Sequence, residues 1–387
     1  MNTKKPLALL AGLSPQQFMR RHWQKAPLLV RQAIPGFAPL LSRSELFALA
    51  GQEGVESRLV ECKQARGKER WSMQSGPFAQ GELPPVQRKL WTLLVQGVDL
   101  HHDAVHALLQ NFRFVPDARL DDLMISYASD GGGVGPHFDS YDVFLLQAQG
   151  RRRWRIGPQT DLTLREGVPL KILQNFEPTI ELLLEPGDML YLPPRWAHEG
   201  VAMGGDCQTY SVGFRAPSAA EMARELLTRL ADEVADAAEI DTARLYADPH
   251  QNATDQPASM PPELSAFAEK ALRKALKDKG LLRQLLGEAL TEPKANVWFE
   301  AGRVPRRIKA LRLARASRML VDGKFVFLNG ESWRMGGAEA RLLRKLAHAR
   351  QLSATDLIAE NADFMQVDSD FQSILRDWVA QGWLHAD

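Results

Sequence analysis

Six short apolar segments between residues 122 and 214 constrain the fold of this chain more than any other feature. Each is rich in β-branched, aromatic or leucine residues, and glycine or proline turns such as Gln149-Gly150 and Glu185–Asp188 separate them. The segments are Asp122–Ala128, Tyr141–Gln147, Arg152–Ile156, Thr179–Leu184, Met189–Leu192 and Gln208–Phe214. Many short strands at this spacing predict a jelly roll or barrel. The opening hundred residues have a more helical pattern, and Trp23, Trp71 and Trp91 are expected to pack against the barrel.

A second region, residues 218–295, has a helical pattern. Leu226, Leu230 and Val234 recur at helical spacing, and Leu264, Phe267, Ala271 and Ala275 do so again. Prolines at 249, 257, 261 and 262 mark a loop between the two stretches. Helices between two other domains suit either a self-association surface or a packed spacer, and the pattern alone favours neither.

The third region, residues 296–387, predicts a hairpin and three helices. Asp322-Gly323 lies between two apolar runs and indicates a type I′ turn. Helices are expected near 338–349, after a capping box formed by Ser353 and Asp356, and near 370–380. This combination favours a winged-helix-like module. The predicted domains are therefore 1–217, 218–295 and 296–387.

Composition excludes several classes of protein. Lys and Arg number 48 against 47 Asp and Glu, so any affinity for nucleic acid or membrane must come from a local patch. Two cysteines are too few for a disulfide framework or a thiolate zinc site, which favours a reducing cytoplasm. No run approaches the ~20 apolar residues of a membrane span. The apolar run Leu7–Leu13 is interpreted as a short folded helix rather than a signal peptide.

The segment from Gly131 to Asp139 contains the most informative residues. On an extended strand, His137 and Asp139 project from the same face, where an imidazole and a carboxylate can bind one divalent metal. His198, in the loop after Met189–Leu192, offers a third ligand. Two histidines and one carboxylate form the facial triad of non-haem Fe(II) oxygenases. An H-x-D pair alone occurs often by chance, but the turn, strand and loop that deliver His198 favour a metal site.

Arg152 is the candidate for holding an anionic cosubstrate. Strand alternation places it on the same face as Trp154 and Ile156, the apolar side of that segment. An arginine turned inward is costly unless an anion meets it, and a carboxylate accepts its guanidinium bidentately. The alternative is a structural ion pair, for instance with Asp142. Arg215 competes as the ligand for 2-oxoglutarate, and the sequence does not exclude it.

Residues 121–217 closely resemble the JmjC-type ribosomal oxygenases, especially the bacterial RoxA-type arginine hydroxylases. The matching segments are DDLMIS, GGGVGPHFDSYDVFLLQ, GRRRWRIG, LEPGDMLYLPPRWAHEG and YSVGFRAP, with HWQKAPLLVR and SGPF upstream. These motifs are specific for the group within the wider cupin superfamily. Beyond residue 217 the resemblance is weaker, although the three-part architecture agrees.

The resemblance implies a jelly-roll (double-stranded β-helix, cupin) catalytic domain with Fe(II) on His137, Asp139 and His198. It implies that Arg152, helped by Ser129, binds 2-oxoglutarate, with dioxygen as the other cosubstrate. It implies β-hydroxylation of one arginine in the large-subunit ribosomal protein numbered sixteen, a helical dimerisation segment and a C-terminal winged helix. The candidates for substrate contact are Asp122, Tyr141 and Ser211, with a solvated strand-end charge as the alternative for Asp122.

Three rival functions stay open. A histidyl hydroxylase or a lysyl demethylase could use the same fold. A non-catalytic cupin and winged-helix regulator that binds nucleic acid is the rival from another class. The stretch from Arg303 to Arg318 contains seven basic residues and no acidic one, so contact with ribosomal RNA is conceivable, although most basic runs are solvated faces.

Overall fold

The computed structural model describes residues 2–65, 68–79, 81–233, 245–250, 252–253, 256, 258–359 and 369–387. Val234 and Pro257, used above to predict a helix and a loop, lie outside these residues. The chain forms two compact units, Met1–Ala216 and Pro217–Asp387. No helix in the described ranges is long and apolar enough to cross a membrane.

The first unit is built on one large antiparallel sheet with three short helices. The helices are α1 Pro15–Arg21, α2 Arg43–Ala50 and α3 Asp103–Leu109. The strands are β1 Leu28–Val30, β2 Ser57–Ala65, β3 Lys68–Ser75, β4 Trp91–Val95, β5 Leu120–Ala128, β6 His137–Phe138, β7 Val143–Pro158, β8 Ile180–Leu184, β9 Met189–Leu192 and β10 Trp196–Phe214. Their order is β1-β9-β7-β10-β5-β4-β2-β3, while β6 pairs with β10 and β8 pairs with β7.

Strands β7 and β10 pass through both walls of a jelly roll. The first half of β7 pairs with β9 and with the second half of β10, and its second half pairs with β8 and the first half of β10. Gln149-Gly150 is therefore a bend within one strand, and the prediction of a turn between two strands is wrong. Gly150 makes the bend at φ +65°, and the Gln147 amide donates to the Gln149 carbonyl across it at 2.7 Å.

The opening hundred residues contain more strand than their helical pattern predicted. Among the described residues of this range, only α1 and α2 are α-helical, whereas β2, β3 and β4 extend the sheet. The apolar run Leu7–Leu13 holds a 3₁₀ turn whose Leu10 side chain is buried. Trp23 and Trp91 are buried in the core as expected, and Trp71 is half-buried. Aromatic rings join α1 to the sheet, since Phe18 packs edge-on against Tyr191 at 4.9 Å.

The second unit combines helices with two small sheets and ends in a winged helix. Its helices are α4 Ala219–Glu233, α5 Pro262–Ala275, α6 Lys279–Thr291, α7 Gly337–Ala349, α8 Ala354–Ala359 and α9 Ser369–Ala380. Its strands are β11 Leu311–Leu313, β12 Met319–Asp322, β13 Phe325–Leu328, β14 Glu331–Arg334, β15 Gln351–Leu352 and β16 Leu384–Ala386. Buried Leu343, Leu346, Leu375, Trp378 and Leu384 form the centre of its core.

The predicted hairpin and capping box are both present. In the hairpin, Asp322 pairs with Phe325, so Gly323 and Lys324 form a two-residue loop. Only Gly323 has a positive φ, +60°, which fits a type II′ turn and corrects the predicted type I′. In the capping box, the Ser353 hydroxyl accepts from the Asp356 N–H at 3.2 Å, and Asp356 accepts from the Ser353 N–H at 2.9 Å.

Candidate metal centre

The pairing of β6 with β10 brings two histidines together. His137 lies directly opposite His198 in the antiparallel register, and their ring centroids are 4.2 Å apart. Asp139 follows on the same side, with a carboxylate oxygen 3.6 Å from His198 Nε2. One ligand atom from each residue lies within 4.8 Å of the others. The three residues singled out from sequence thus form one compact cluster on the wall that contains the second half of β7.

The loop before His198 is hydrogen-bonded to the H-x-D segment that contains the other two ligands. The Arg195 N–H donates to the Asp139 carbonyl at 2.7 Å. Arg195 adopts a positive φ of +67°, which lets the chain turn sharply out of Pro193-Pro194 and into β10. This contact fixes the distance between the H-x-D segment and the second histidine before any ligand binds.

Backbone carbonyls orient both imidazoles. His137 Nδ1 lies 3.0 Å from the Gly135 carbonyl, and His198 Nδ1 lies 2.9 Å from the Trp196 carbonyl. A carbonyl only accepts, so each Nδ1 carries the proton and each Nε2 presents a lone pair to the cluster. Burial, and next the neighbouring His137, lower the pKa of His198 to about 4. The neutral imidazole is the form that binds a metal.

Glycines allow the strands around the cluster to approach closely. A Cβ on Gly133 would lie 2.5 Å from the Gly200 carbonyl, so the glycine-rich loop can rest directly against β10. A Cβ on Gly200 would lie 2.7 Å from the Trp154 ring, which itself packs 5.9 Å from the His198 ring. The glycines therefore determine how near Trp154 comes to the metal ligands.

The Arg152 side chain lies on the same wall as the metal cluster and packs against Trp154, as strand alternation predicted. The residue is 5% exposed, and its guanidinium carbon lies 5.8 Å from the Trp154 ring centroid. Its Nε and Nη2 are buried with no hydrogen-bond partner among the described residues, and the same holds for Trp154 Nε1. A buried cation with unpaired N–H groups is costly, so the chemistry of this pocket fits an anion that accepts from them.

The two alternatives to this role for Arg152 do not match the observed contacts. Asp142, the suggested ion-pair partner, instead accepts from Tyr191 at 2.6 Å and lies 3.5 Å from Arg119. Arg215 lies 3.4 Å from Asp121 in a half-exposed ion pair. Arg152 is thus the candidate whose buried N–H groups have no partner in the part of the chain that the structure describes.

The Ser129 side chain bonds to the neighbouring strand. Its buried hydroxyl accepts from the Trp91 N–H at 3.1 Å and lies 3.3 Å from the Trp91 carbonyl. These contacts join the end of β5 to the start of β4. A role for Ser129 in binding 2-oxoglutarate stays a prediction.

The three candidates for substrate contact differ in their surroundings. Asp122 is 4% exposed, so it is not a solvated strand-end charge, and one carboxylate oxygen accepts from Gln96 Nε2 at 2.9 Å and the Gly97 N–H at 3.1 Å. Burial, and next the Asp139 and Asp122 carboxylates, raise the pKa of Tyr141. Ser211 is buried on β10 opposite Met124. Tyr141 therefore stands within electrostatic reach of both carboxylates.

Two family models match this chain. A JmjC domain matches residues 107–222, a range that contains the cluster and Arg152. A ROXA-like winged helix matches residues 271–385.

Full-length relatives identify the family. Ribosomal protein uL16 3-hydroxylase of Escherichia coli (strain K12) is 34% identical over 385 residues, which cover 95% of this chain and 96% of that protein. The chain belongs to the ribosomal oxygenases. An X-ray structure of E. coli YcfD superposes on this ribosomal oxygenase with a TM-score of 0.82, at 32% identity and with 96% and 98% of the two chains covered. A structure of YcfD in complex with cobalt and 2-oxoglutarate gives a TM-score of 0.79, at 32% identity and the same coverage.

Sequence reasoning missed two residues that support the site of this ribosomal oxygenase. Gln96, the residue after β4, donates from Nε2 to the Asp122 carboxylate, and its side-chain Oε1 accepts from Arg58 Nη2 at 3.3 Å. The Trp154 ring packs against both Arg152 and His198. Its indole Nε1–H has no hydrogen-bond partner among the described residues. The alternation that selected Arg152 also contained the signal for Trp154, whereas no local pattern links Gln96 to Asp122.

Proposed function

We propose that this ribosomal oxygenase is an Fe(II)- and 2-oxoglutarate-dependent protein hydroxylase. One observation carries the proposal: a His-Asp-His cluster with two Nε2 lone pairs lies on the same wall as a buried arginine with unpaired N–H groups. Such a triad leaves one side of a metal open for other ligands. The match to a relative whose structure is in complex with cobalt and 2-oxoglutarate supports the same ligands here.

The chain's own residues position the reactants. His137, Asp139 and His198 would hold iron, and the buried Arg152 would donate to the distal carboxylate of 2-oxoglutarate. When bound, iron, 2-oxoglutarate and dioxygen supply the oxidation that converts a substrate C–H bond to C–OH, with succinate and carbon dioxide as co-products. The buried Trp154 ring packs over the arginine, so an ion pair with that carboxylate would form in a low dielectric and be stronger than in water.

An arginine of ribosomal protein uL16 is the proposed substrate. The E. coli relative is a uL16 3-hydroxylase, and the third carbon of an amino acid is its β-carbon. The buried Asp122 carboxylate suits a cationic side chain such as arginine better than neutral histidine, with Tyr141 and Ser211 as further contacts. A regulator that only senses a ligand would not need buried N–H groups beside an open metal triad.

We further propose a homodimer that works in the cytoplasm, with the helical segment 218–295 as the dimer interface and 296–387 as a separate winged helix. Leu272 on α5 is 54% exposed, and Leu264, Leu276 and, on α4, Leu227 are exposed as well. Apolar side chains on two neighbouring helical segments suit self-association. Two free cysteines and a ribosomal substrate suit the cytoplasm.

The experiment that tests the reaction measures succinate and peptide mass together. Purified protein with Fe(II), ascorbate and 2-oxoglutarate is incubated with and without a peptide from the arginine-containing loop of uL16. We expect succinate to form and the peptide to gain the mass of one oxygen atom on its arginine. Matched peptides with histidine or methyl-lysine in place of arginine test the rival activities.

Two variants control for the site. His137→Ala and Arg152→Leu should both abolish the mass gain while retaining the far-ultraviolet circular dichroism of the parent. Succinate formation without peptide modification would support the oxygenase activity and reject the uL16 arginine as its substrate. A folded, iron-loaded protein that makes no succinate would reject the oxygenase and favour the regulator.

A further inference from the structure

A strip of unpaired cations crosses the surface of the second unit. The strip comprises Arg303, Arg306, Arg307, Lys309 and Arg312, and all five are exposed. None of them forms an ion pair with another described residue, whereas Arg315 and Arg318, further along the same basic run, do have partners. Five cations within ten residues create a local positive potential that the near-neutral chain as a whole lacks.

The backbone under the strip is fixed at several points. Arg376 on α9 donates to the Pro305 carbonyl at 2.9 Å, and the Gly302 N–H donates to the Ala380 carbonyl at 3.0 Å. The Lys309 N–H donates to the Asp387 carbonyl at 2.7 Å. Arg312 lies on the central strand β11, opposite Gln351 on one side. A ligand on this strip would therefore bind without ordering the main chain, which lowers the entropic cost of binding.

An exposed tryptophan precedes the strip. Trp298 is 81% exposed, while the next residue, Phe299, packs edge-on against Trp383 at 6.3 Å. The chain from Trp298 to Arg303 can extend at most ~18 Å. The indole and the first arginine are therefore close enough for a few consecutive nucleotides to contact both. A bare indole ring beside a row of cations matches the two elements of single-strand binding sites, which are a stacking platform and a basic track.

Nearby acidic groups do not cancel the strip. Glu300 is exposed between Trp298 and Arg303, and Asp387 lies next to Lys309 through the backbone. The positive potential of the strip therefore comes mainly from four arginines, Arg303, Arg306, Arg307 and Arg312. On α9, the cation Arg376 is half-buried and donates to the Pro305 carbonyl, and Asp377 is exposed. The segment is also irregular and not an amphipathic helix, which disfavours a membrane surface.

We propose that Trp298 and the strip from Arg303 to Arg312 bind single-stranded RNA, with phosphates on the arginines and a base on the indole. The proposal extends the proposed function, because a ribosomal-protein substrate is surrounded by RNA. The binding itself can be measured without turnover, so either proposal can fail while the other stands.

Fluorescence anisotropy of the full chain with a labelled, unstructured RNA of about 15 nucleotides tests the proposal. Titrations between about 50 and 200 mM KCl should give a log–log slope near −2.8, since four phosphate contacts contribute about 0.7 each. The double variant Arg306→Glu/Arg307→Glu should lower the slope by about 1.4 and weaken binding at least about tenfold. Trp298→Ala should weaken it by about 5- to 150-fold with no change in slope.

The matched control is Arg20→Glu/Arg21→Glu, a pair of adjacent exposed arginines on α1. Equal loss of affinity in this control, or an unaltered affinity of Trp298→Ala, would overturn the proposal. Binding to vesicles of phosphatidylcholine and phosphatidylserine in place of RNA would also overturn it. Peptide hydroxylation by the strip variants should match the parent, which separates loss of RNA binding from loss of the oxygenase.

Discussion

Arg152 and the two histidines show how single residues define the ligand chemistry. Each histidine has one nitrogen committed to a backbone carbonyl, so the other is available. Arg152 retains two buried N–H groups that no other described residue satisfies. Polar atoms that a folded chain leaves unpaired in its interior indicate what binds there, because the free energy of leaving them unpaired is high.

Binding of 2-oxoglutarate should require both the charge of Arg152 and the forked geometry of its guanidinium. We expect Arg152→Lys to raise the KM for 2-oxoglutarate by about 30- to 150-fold, because one charge-assisted hydrogen bond worth about 2–3 kcal/mol is lost. The conservative control is Arg151→Lys, since Arg151 is exposed on the opposite face of the same strand. Steady-state kinetics with varied 2-oxoglutarate measure both. Equal KM values for the parent and Arg152→Lys would contradict the assignment.

At the scale of strands and turns, the site depends on how β7 and β10 are aligned and on the turn before β9. The Asp188 side chain closes that turn, because it accepts from the Glu185 N–H at 3.1 Å and the Gln32 N–H at 3.0 Å. It also pairs with Arg31. These bonds attach the N-terminal segment to the strand that leads into the His198 loop.

Asp188 should make stability depend on pH. Burial alone would raise the pKa of Asp188, but the backbone N–H groups of Gln32 and Glu185, with Arg31, outweigh it and hold the pKa below its usual value. The stabilisation is complete above the unfolded pKa of about 3.9 and is lost as the pH falls through the folded pKa. Asp188→Asn should lower the free energy of unfolding by about 1–3 kcal/mol at pH 7. The loss should shrink as the pH falls below the unfolded pKa. Urea unfolding at neutral and acidic pH measures this, with exposed Glu53→Gln as the control.

Close packing of β10 on Trp154 gives a second test at this scale. A methyl group at Gly200 would lie 2.7 Å from the indole, so Gly200→Ala should destabilise the fold by about 1–3 kcal/mol and displace Trp154 from His198. Gly205→Ala is the matched control on the same strand, because nothing lies within 4 Å of its added methyl. Thermal unfolding and cobalt titration would show both effects. A variant at Gly200 that binds cobalt with parental affinity would refute the packing argument.

The local patterns predicted the site better than the strands that hold it. H-x-D spacing, the loop before His198 and the alternation around Arg152 are properties of short segments, so the sequence contains them directly. The continuity of β7 was not predictable, because a glycine such as Gly150 suits a bend within a strand as well as a turn between strands. The pairing of both halves of β7 with β10, far along the chain, determines which of the two forms. The strands β2 and β3 were missed for a different reason, because they pair with each other as a hairpin of mixed polarity that shows no clear apolar alternation.

At the scale of the whole molecule, the two units contain separate hydrophobic cores. The aromatic-rich core of the first unit includes Phe18, Phe144 and Tyr191, and the core of the winged helix is centred on Leu343 and Trp378. Helix α5 belongs to neither, because Ala275 is its only buried residue among those described. Its exposed leucines therefore remain available for a second copy of the chain.

Substitution on α5 should change the oligomeric state. Leu264 and Leu272 lie eight residues apart on one side of the helix, so Leu264→Lys/Leu272→Lys should convert a dimer to a monomer in multi-angle light scattering. Ala266→Lys, on the other side of α5, should leave the mass of the assembly unchanged. Dimers that persist in the double variant would show that another surface mediates association.

The bulge in β10 suggests where this fold can vary in length. Between Met203, which pairs with Arg151, and Gln208, which pairs with Gln149, the strand has four residues where β7 has one. Added methyl groups at Gly204 and Gly205 would meet nothing. Each half of β10 is aligned by its own partners, so residues inserted here would lengthen a solvent-exposed loop without shifting His198. Descendants of this gene could gain or lose residues at that point, and fused peptides or reporter tags could be placed there, without altering the metal ligands.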